Sequence, residues 1–131
     1  MNHKKKFNAM DRLRSFRYAA HGIAIMLRSE HNAWLHTVAT FMVIITGVYF
    51  GFTKYEWCWI VLAIGAVWTA EALNTAFEFL ADVTSPKFHP MVEKAKDVAA
   101  GAVLITSLGA VIIGFIIIGP YFYDRTHTFF R

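Results

Sequence analysis

Three windows without a single Asp, Glu, Lys or Arg, at residues 35–53, 57–70 and 98–123, take up close to half of this 131-residue chain. As helices, the first and third are long enough to cross about 30 Å of hydrocarbon. The second is too short alone. It reaches span length only if its helix runs on through Glu71, Asn74 and Glu78. A buried helix of a soluble domain explains any one window, but too little polar sequence remains to cover three of them. With 56% hydrophobic and 17% charged residues, the chain reads as one all-α integral membrane unit. Its spans are expected at about 33–53, 57–82 and 95–121, because in lipid a helix satisfies its own backbone polar groups.

The flanks orient these spans. Lys4, Lys5, Lys6, Arg12, Arg14, Arg17 and Arg28 precede the first, and Lys87, Lys94 and Lys96 lie between the second and third. The first turn carries Lys54 alone, and the tail carries Arg125 and Arg131. The positive-inside rule puts the N-terminus and the second connection in the cytoplasm and the C-terminus outside. Tyr49, Phe50, Phe52, Tyr55, Trp57 and Trp59, with Tyr121, Phe122 and Tyr123, fit an outer interfacial belt. No small-residue cleavage site follows the basic start, so the N-terminus reads as retained. Residues 11–29 mix apolar and arginine positions as an amphipathic helix on the cytoplasmic surface would. Gly47 with Gly51, and Ala110 with Gly114, are small-residue pairs that permit close helix packing. The lone Cys58 excludes an internal disulfide, and no Cys/His pair has zinc-site spacing.

The polar stripe in the second span is the candidate site. In Glu71-Ala-Leu-Asn74-Thr-Ala-Phe-Glu78 the three polar side chains share one helix face, and Asp82 extends it. Ionisable groups at membrane depth carry an insertion cost of roughly 2.5–3.5 kcal/mol each, so they usually face a protein interior and work there. At 1.5 Å per residue Glu71 lies about 21 Å beyond Trp57, and Glu78 about 31 Å beyond it. Glu71 thus falls inside the cytoplasmic leaflet, within reach of a lipid hydroxyl, and Glu78 falls at the water boundary, where a metal nucleotide arrives.

Other polar groups reach the same level. Glu30 stands just before the first span, and Glu93, Lys96 and Asp97 just before the third. Pro86 and Pro90 bracket the reversal at Lys87-Phe88-His89. Phosphoryl transfer needs carboxylates for Mg²⁺, cations against phosphate charge and a base for the attacking hydroxyl, and this inventory has each. No Walker loop, Gly-rich kinase loop or HRD-type sequence is present. A small proton- or cation-coupled transporter is the alternative, since intramembrane glutamates also mark proton relays, though its carboxylates belong near the midplane. A non-catalytic membrane subunit is a third reading. No nucleic-acid partner is expected.

The order of these elements over about residues 12–120 resembles the prokaryotic diacylglycerol kinase and undecaprenol kinase family of small bacterial lipid kinases. The residues that carry the resemblance are the stripe from Glu71 to Glu78, then His89, then Ala95-Lys96-Asp97-Val-Ala-Ala-Gly-Ala-Val-Leu104. Membership implies a homotrimer in the bacterial inner membrane, with active sites shared between subunits at the cytoplasmic face. It also implies MgATP as phosphoryl donor and a membrane lipid alcohol as acceptor. By position, Glu71 matches the family's general base, Asn74 the amide beside it, and Glu30 and Glu78 the magnesium-holding carboxylates. Lys96 and Asp97 match the pair engaged with nucleotide, and Tyr18 and His89 fall at further nucleotide-side positions. The chain departs from the family at Ala33-Trp34-Leu35-His36, where Phe-Arg-Ile-His is common, at Lys87, where an acidic residue is usual, and at Asp11, where a basic one is. The segment from Ala95 to Gly101 looks closer to the undecaprenol branch than to the diacylglycerol branch, where a serine is typical near Ala100.

Overall fold

In the computed structural model, which describes residues 9–129 and side chains of residues 10–123, the chain is four helices in series: α1 (Ala9–Ser29), α2 (His31–Phe50), α3 (Lys54–Thr84) and α4 (Pro90–Phe129). No strand occurs among the described residues. The three later helices are long and apolar enough to cross a membrane. Lys4, Lys5, Lys6 and Arg131, part of the orientation argument, lie outside the described residues.

Local chemistry sets the boundaries, and it shifts several of them from the sequence expectation. The first span ends at Phe50, short of residue 53, because Gly51 takes a left-handed conformation (φ 71°) that caps the helix. Thr53 then opens α3 with a capping box. Its hydroxyl accepts from the Glu56 N–H, and its own N–H donates to Glu56 Oε2 at 2.7 Å. The third span begins at Pro90 rather than near residue 95. Proline suits a first helical position, and the His89 carbonyl accepts from the Val92 and Glu93 N–H groups. Glu93, Lys96 and Asp97 therefore sit within the first turns of α4.

The expected glycine pair in the first span serves the turn. A Cβ on Gly47 would lie 2.7 Å from Phe52 Cδ2 and 2.8 Å from Trp57 Cη2, so the turn folds back against Gly47 because that position has no side chain. Gly51 supplies the positive φ. Both glycines of the pair are thus used within one chain.

The helices α3 and α4 pack antiparallel along their lengths, and α2 touches α3 more sparingly. Of the most apolar stretch of each span, 39% of residues are buried in α3 but only 11% in α2 and in α4. So α3 is the spine, and most of the apolar surface of α2 and α4 faces away from the rest of the chain. A core of Phe52, Ile60 and Ile117 closes the end where α2 turns into α3. Part of the expected aromatic belt turns inward here: Phe50 stacks on Tyr121 (5.3 Å between centroids), and Phe52 is buried between Trp57 and Tyr121. Tyr49, Tyr55 and Trp59 remain exposed, as a belt requires. At the opposite end α1 is the most amphipathic of the four helices, with Met26 buried and Leu13, Phe16 and Ile23 exposed.

Candidate active site

The second span does run through its polar stripe, as its length demanded. At 31 residues α3 extends about 46 Å, longer than the roughly 30 Å thickness of the hydrocarbon, so one helix holds both the apolar window and the polar stripe. Glu71, Asn74 and Thr75 are its buried polar residues; Glu71 is only 1% exposed. Neither oxygen of the Glu71 carboxylate has a hydrogen-bond partner among the described residues. Buried polar atoms are nearly always paired, so an orphaned carboxylate marks a group that needs a further partner. Thr75 uses its hydroxyl locally, donating to the Glu71 carbonyl at 2.9 Å.

Two more carboxylates approach this one. Glu30 is the single non-helical residue between α1 and α2, in an extended conformation, and its side chain makes no cap hydrogen bond. Glu78 follows Glu71 on α3 and accepts from Asn74 Nδ2 at 3.1 Å, while Asn74 Oδ1 is buried and unpaired. Glu30 and Glu78 both lie within electrostatic range of Glu71.

The remaining candidates are dispersed. Lys96 Nζ donates to Asp82 Oδ1 at 3.3 Å, bridging α4 to α3, rather than pairing with Asp97, which is exposed. The His89 Nδ1 accepts from the Met91 N–H at 3.2 Å and so helps cap α4. Tyr18 is exposed on α1. Among the described residues no hydrogen bond or ion pair joins Tyr18, His89 or Asp97 to the carboxylate group.

Sequence reasoning noted His36 only within Ala33-Trp34-Leu35-His36, where it agrees with the family's histidine, and gave it no role. It lies inside a window counted as charge-free, yet its Nε2 is 3.9 Å from Glu71 Oε2 and its side chain is 13% exposed. Trp68, one turn before Glu71, meets the His36 ring edge-on, and its indole N–H donates to Thr40 Oγ1 at 3.2 Å. An imidazole in an otherwise apolar span was the available signal. From His36 an apolar groove of about 570 Å³ runs between α2, α3 and α4 to Phe122. Its few polar groups include Ser107, whose buried hydroxyl has no partner among the described residues.

Glu30 and Glu78 are the carboxylates that the sequence puts forward for a magnesium ion. Among the described residues no three His, Cys, Asp or Glu side chains are grouped to enclose an ion. Magnesium is commonly held by one or two carboxylates, with phosphate oxygens and water completing the shell, and Glu30 and Glu78 supply hard oxygens of that kind.

Comparison with known proteins converges on one family. The model for prokaryotic diacylglycerol kinase matches residues 17–118. The chain is 38% identical over 121 residues to the undecaprenol kinase of Bacillus subtilis, covering 92% of this chain and 98% of that one. It is 35% identical over 101 residues to a diacylglycerol kinase of Synechocystis, covering 76% of this chain and 58% of the relative. The match takes in the α1–α2 junction, the stripe on α3 and the start of α4, and the relatives' names answer the transporter and non-catalytic readings. The chain belongs to the prokaryotic diacylglycerol kinase family and is a membrane-embedded lipid kinase.

Proposed function

We propose that the protein transfers the γ-phosphoryl group of MgATP to the hydroxyl of undecaprenol, giving undecaprenyl phosphate and ADP. The observation that carries this reading is the buried, unpartnered Glu71 carboxylate with Glu30 and Glu78 in electrostatic range. Glu71 accepts the proton of the lipid hydroxyl as its oxygen attacks the γ-phosphorus, and the bond from that phosphorus to the bridging β–γ oxygen breaks to release ADP. Glu30 and Glu78 would hold the magnesium that offsets phosphate charge and orients the transferring group. Asn74 orients Glu78 through its amide. Lys96, Asp97, His89 and Tyr18 serve the nucleotide side, with Lys96 exchanging Asp82 for phosphate oxygens.

Undecaprenol is favoured by the relative whose length this chain nearly matches in full, and by Ala95-Lys96-Asp97-Val-Ala-Ala-Gly. The Synechocystis relative makes diacylglycerol, phosphorylated to phosphatidic acid, the second reading. The basic flanks support an inner-membrane protein with the N-terminus and the site at the cytoplasmic face. The unburied apolar faces of α2 and α4 support assembly, which we take to be a homotrimer with shared sites. The test is phosphate transfer by the purified full chain in mixed micelles with MgATP, against both lipids side by side. Faster transfer to undecaprenol is expected. Transfer to diacylglycerol alone would replace the acceptor, and transfer to neither would overturn the reading.

A further inference from the structure

We infer that His36 is the positioning residue for Glu71: its Nε2–H holds one oxygen of the base so that the other faces the lipid hydroxyl. The inference rests on the reading of Glu71 as the base. Its ground is a two-by-two arrangement across the antiparallel α2 and α3. His36 faces Glu71 at the inner level, with Nε2 and Oε2 3.9 Å apart. One turn toward the opposite end, Thr40 faces Trp68, with the indole N–H on the threonine hydroxyl at 3.2 Å. The Trp68 ring stands at 68° to the imidazole, with centroids 6.4 Å apart, so the group that anchors to α2 also borders one side of the histidine.

Two features separate this from a histidine that merely packs. First, His36 makes no hydrogen bond among the described residues, and neither oxygen of Glu71 has a partner, so each lacks what the other supplies. A neutral imidazole with its proton on Nε2 is a donor aimed at an acceptor, and bringing them to about 2.9 Å takes an approach of about 1 Å. Second, His36 lies at one end of the apolar groove, whose lining runs from Leu35 and His36 to Phe122. A long-chain alcohol lying in the groove meets His36 first, with the buried Glu71 carboxylate 3.9 Å behind its Nε2. A carboxylate held on one oxygen has its remaining lone pairs directed, whereas an unheld one samples rotamers that face away. A misplacement of about 1 Å can cost on the order of 10²-fold in rate.

The experiment compares three substitutions in the full-length protein, assayed in mixed micelles with MgATP and undecaprenol. His36→Leu removes the donor, His36→Asn keeps an amide that is too short to reach, and His36→Gln keeps an amide N–H near the position of Nε2. We expect Leu and Asn to lower kcat about 10- to 100-fold, with both KM values within about twofold of wild type, and Gln to retain kcat within about threefold. A structural role alone would not spare Gln while impairing Asn. Wild-type kcat in His36→Leu, or equal kcat in His36→Gln and His36→Asn, would overturn the inference. If the leucine variant does not fold, the Gln–Asn comparison decides. Glu71→Gln assayed in parallel separates the two levels. Wild-type turnover there removes the base reading and this inference with it, whereas inactive Glu71→Gln beside fully active His36→Leu removes only the role of His36.

Discussion

Asn74 donates its side-chain amide to Glu78 one helical turn further along α3, at 3.1 Å, so the buried part of the stripe grips its half-buried end. The bond ties a residue beside the base to a residue proposed to hold magnesium. Replacing a hydrogen-bonding partner of a metal ligand typically costs 10–100-fold in metal affinity. Asn74→Leu should therefore raise the half-saturating Mg²⁺ concentration by about 10-fold at fixed ATP. Glu78→Gln should raise it at least as far. A magnesium titration superimposable on wild type for both would remove Glu78 from the metal site.

Glu71→Gln keeps shape and burial while removing the proton acceptor. General-base catalysis contributes about 10²–10⁴-fold, so turnover should fall by at least about 10²-fold. Thermal unfolding and oligomer size in detergent should match wild type, because the carboxylate makes no hydrogen bond among the described residues that the amide would lose.

Lys96 has two claims on it, Asp82 in the structure and phosphate in the proposal. The bridge is exposed, with side-chain exposures of 39% and 70%, and such pairs contribute about 0–1 kcal/mol. Asp82→Asn should thus shift unfolding by less than about 1 kcal/mol and leave the KM for MgATP unchanged or lower. Lys96→Met should raise that KM several-fold. If the two substitutions behave alike in steady-state kinetics, the bridge, not the nucleotide, is what Lys96 serves.

Gly47→Ala should destabilise the fold by about 1–3 kcal/mol, the usual range for forcing an extra methyl into a filled space. The methyl would meet ring atoms of both Phe52 and Trp57 at under 3.0 Å. Detergent unfolding curves measure this directly, and a neutral outcome would mean that the turn packs against α2 less tightly than it does here.

Tyr121→Phe removes a 2.9 Å bond from its hydroxyl to Glu56 Oε2, which joins the far end of α4 to the first turn of α3. A small loss of thermal stability with unchanged turnover is expected, since Glu56 keeps its capping bonds to Thr53.

What could be read from the sequence followed from local rules. The shortness of the charge-free window at 57–70 forces its helix on through Glu71 and Glu78, and α3 does continue to Thr84. The mix of apolar positions with Arg12, Arg14, Arg17 and Arg28 over residues 11–29 announces the amphipathic helix, and Pro86 and Pro90 announce the reversal. What could not be read depends on how helices cross. His36 and Glu71 are far apart in sequence, and no periodicity within either helix shows that they face each other. The choice of Asp82 over Asp97 by Lys96 likewise comes from the antiparallel register of α3 and α4. The glycine pair at 47 and 51 has the spacing of an intermolecular contact, and only the path of the following turn shows its use within the chain.

The turn packed on Gly47 also acts as a fulcrum. Gly51, the Thr53 capping box, the stacked aromatics and the Tyr121–Glu56 bond all immobilise one end of α2. From Phe50 back to His36 the helix is a lever of about 21 Å at 1.5 Å per residue. A rigid tilt of about 3° about that end would supply the approach of about 1 Å between His36 and Glu71, and would draw Thr40 closer to Trp68 as well. Glu30 lies further out on the same arm, so it would travel with His36, and one rigid rotation would adjust the base and the proposed metal carboxylate together.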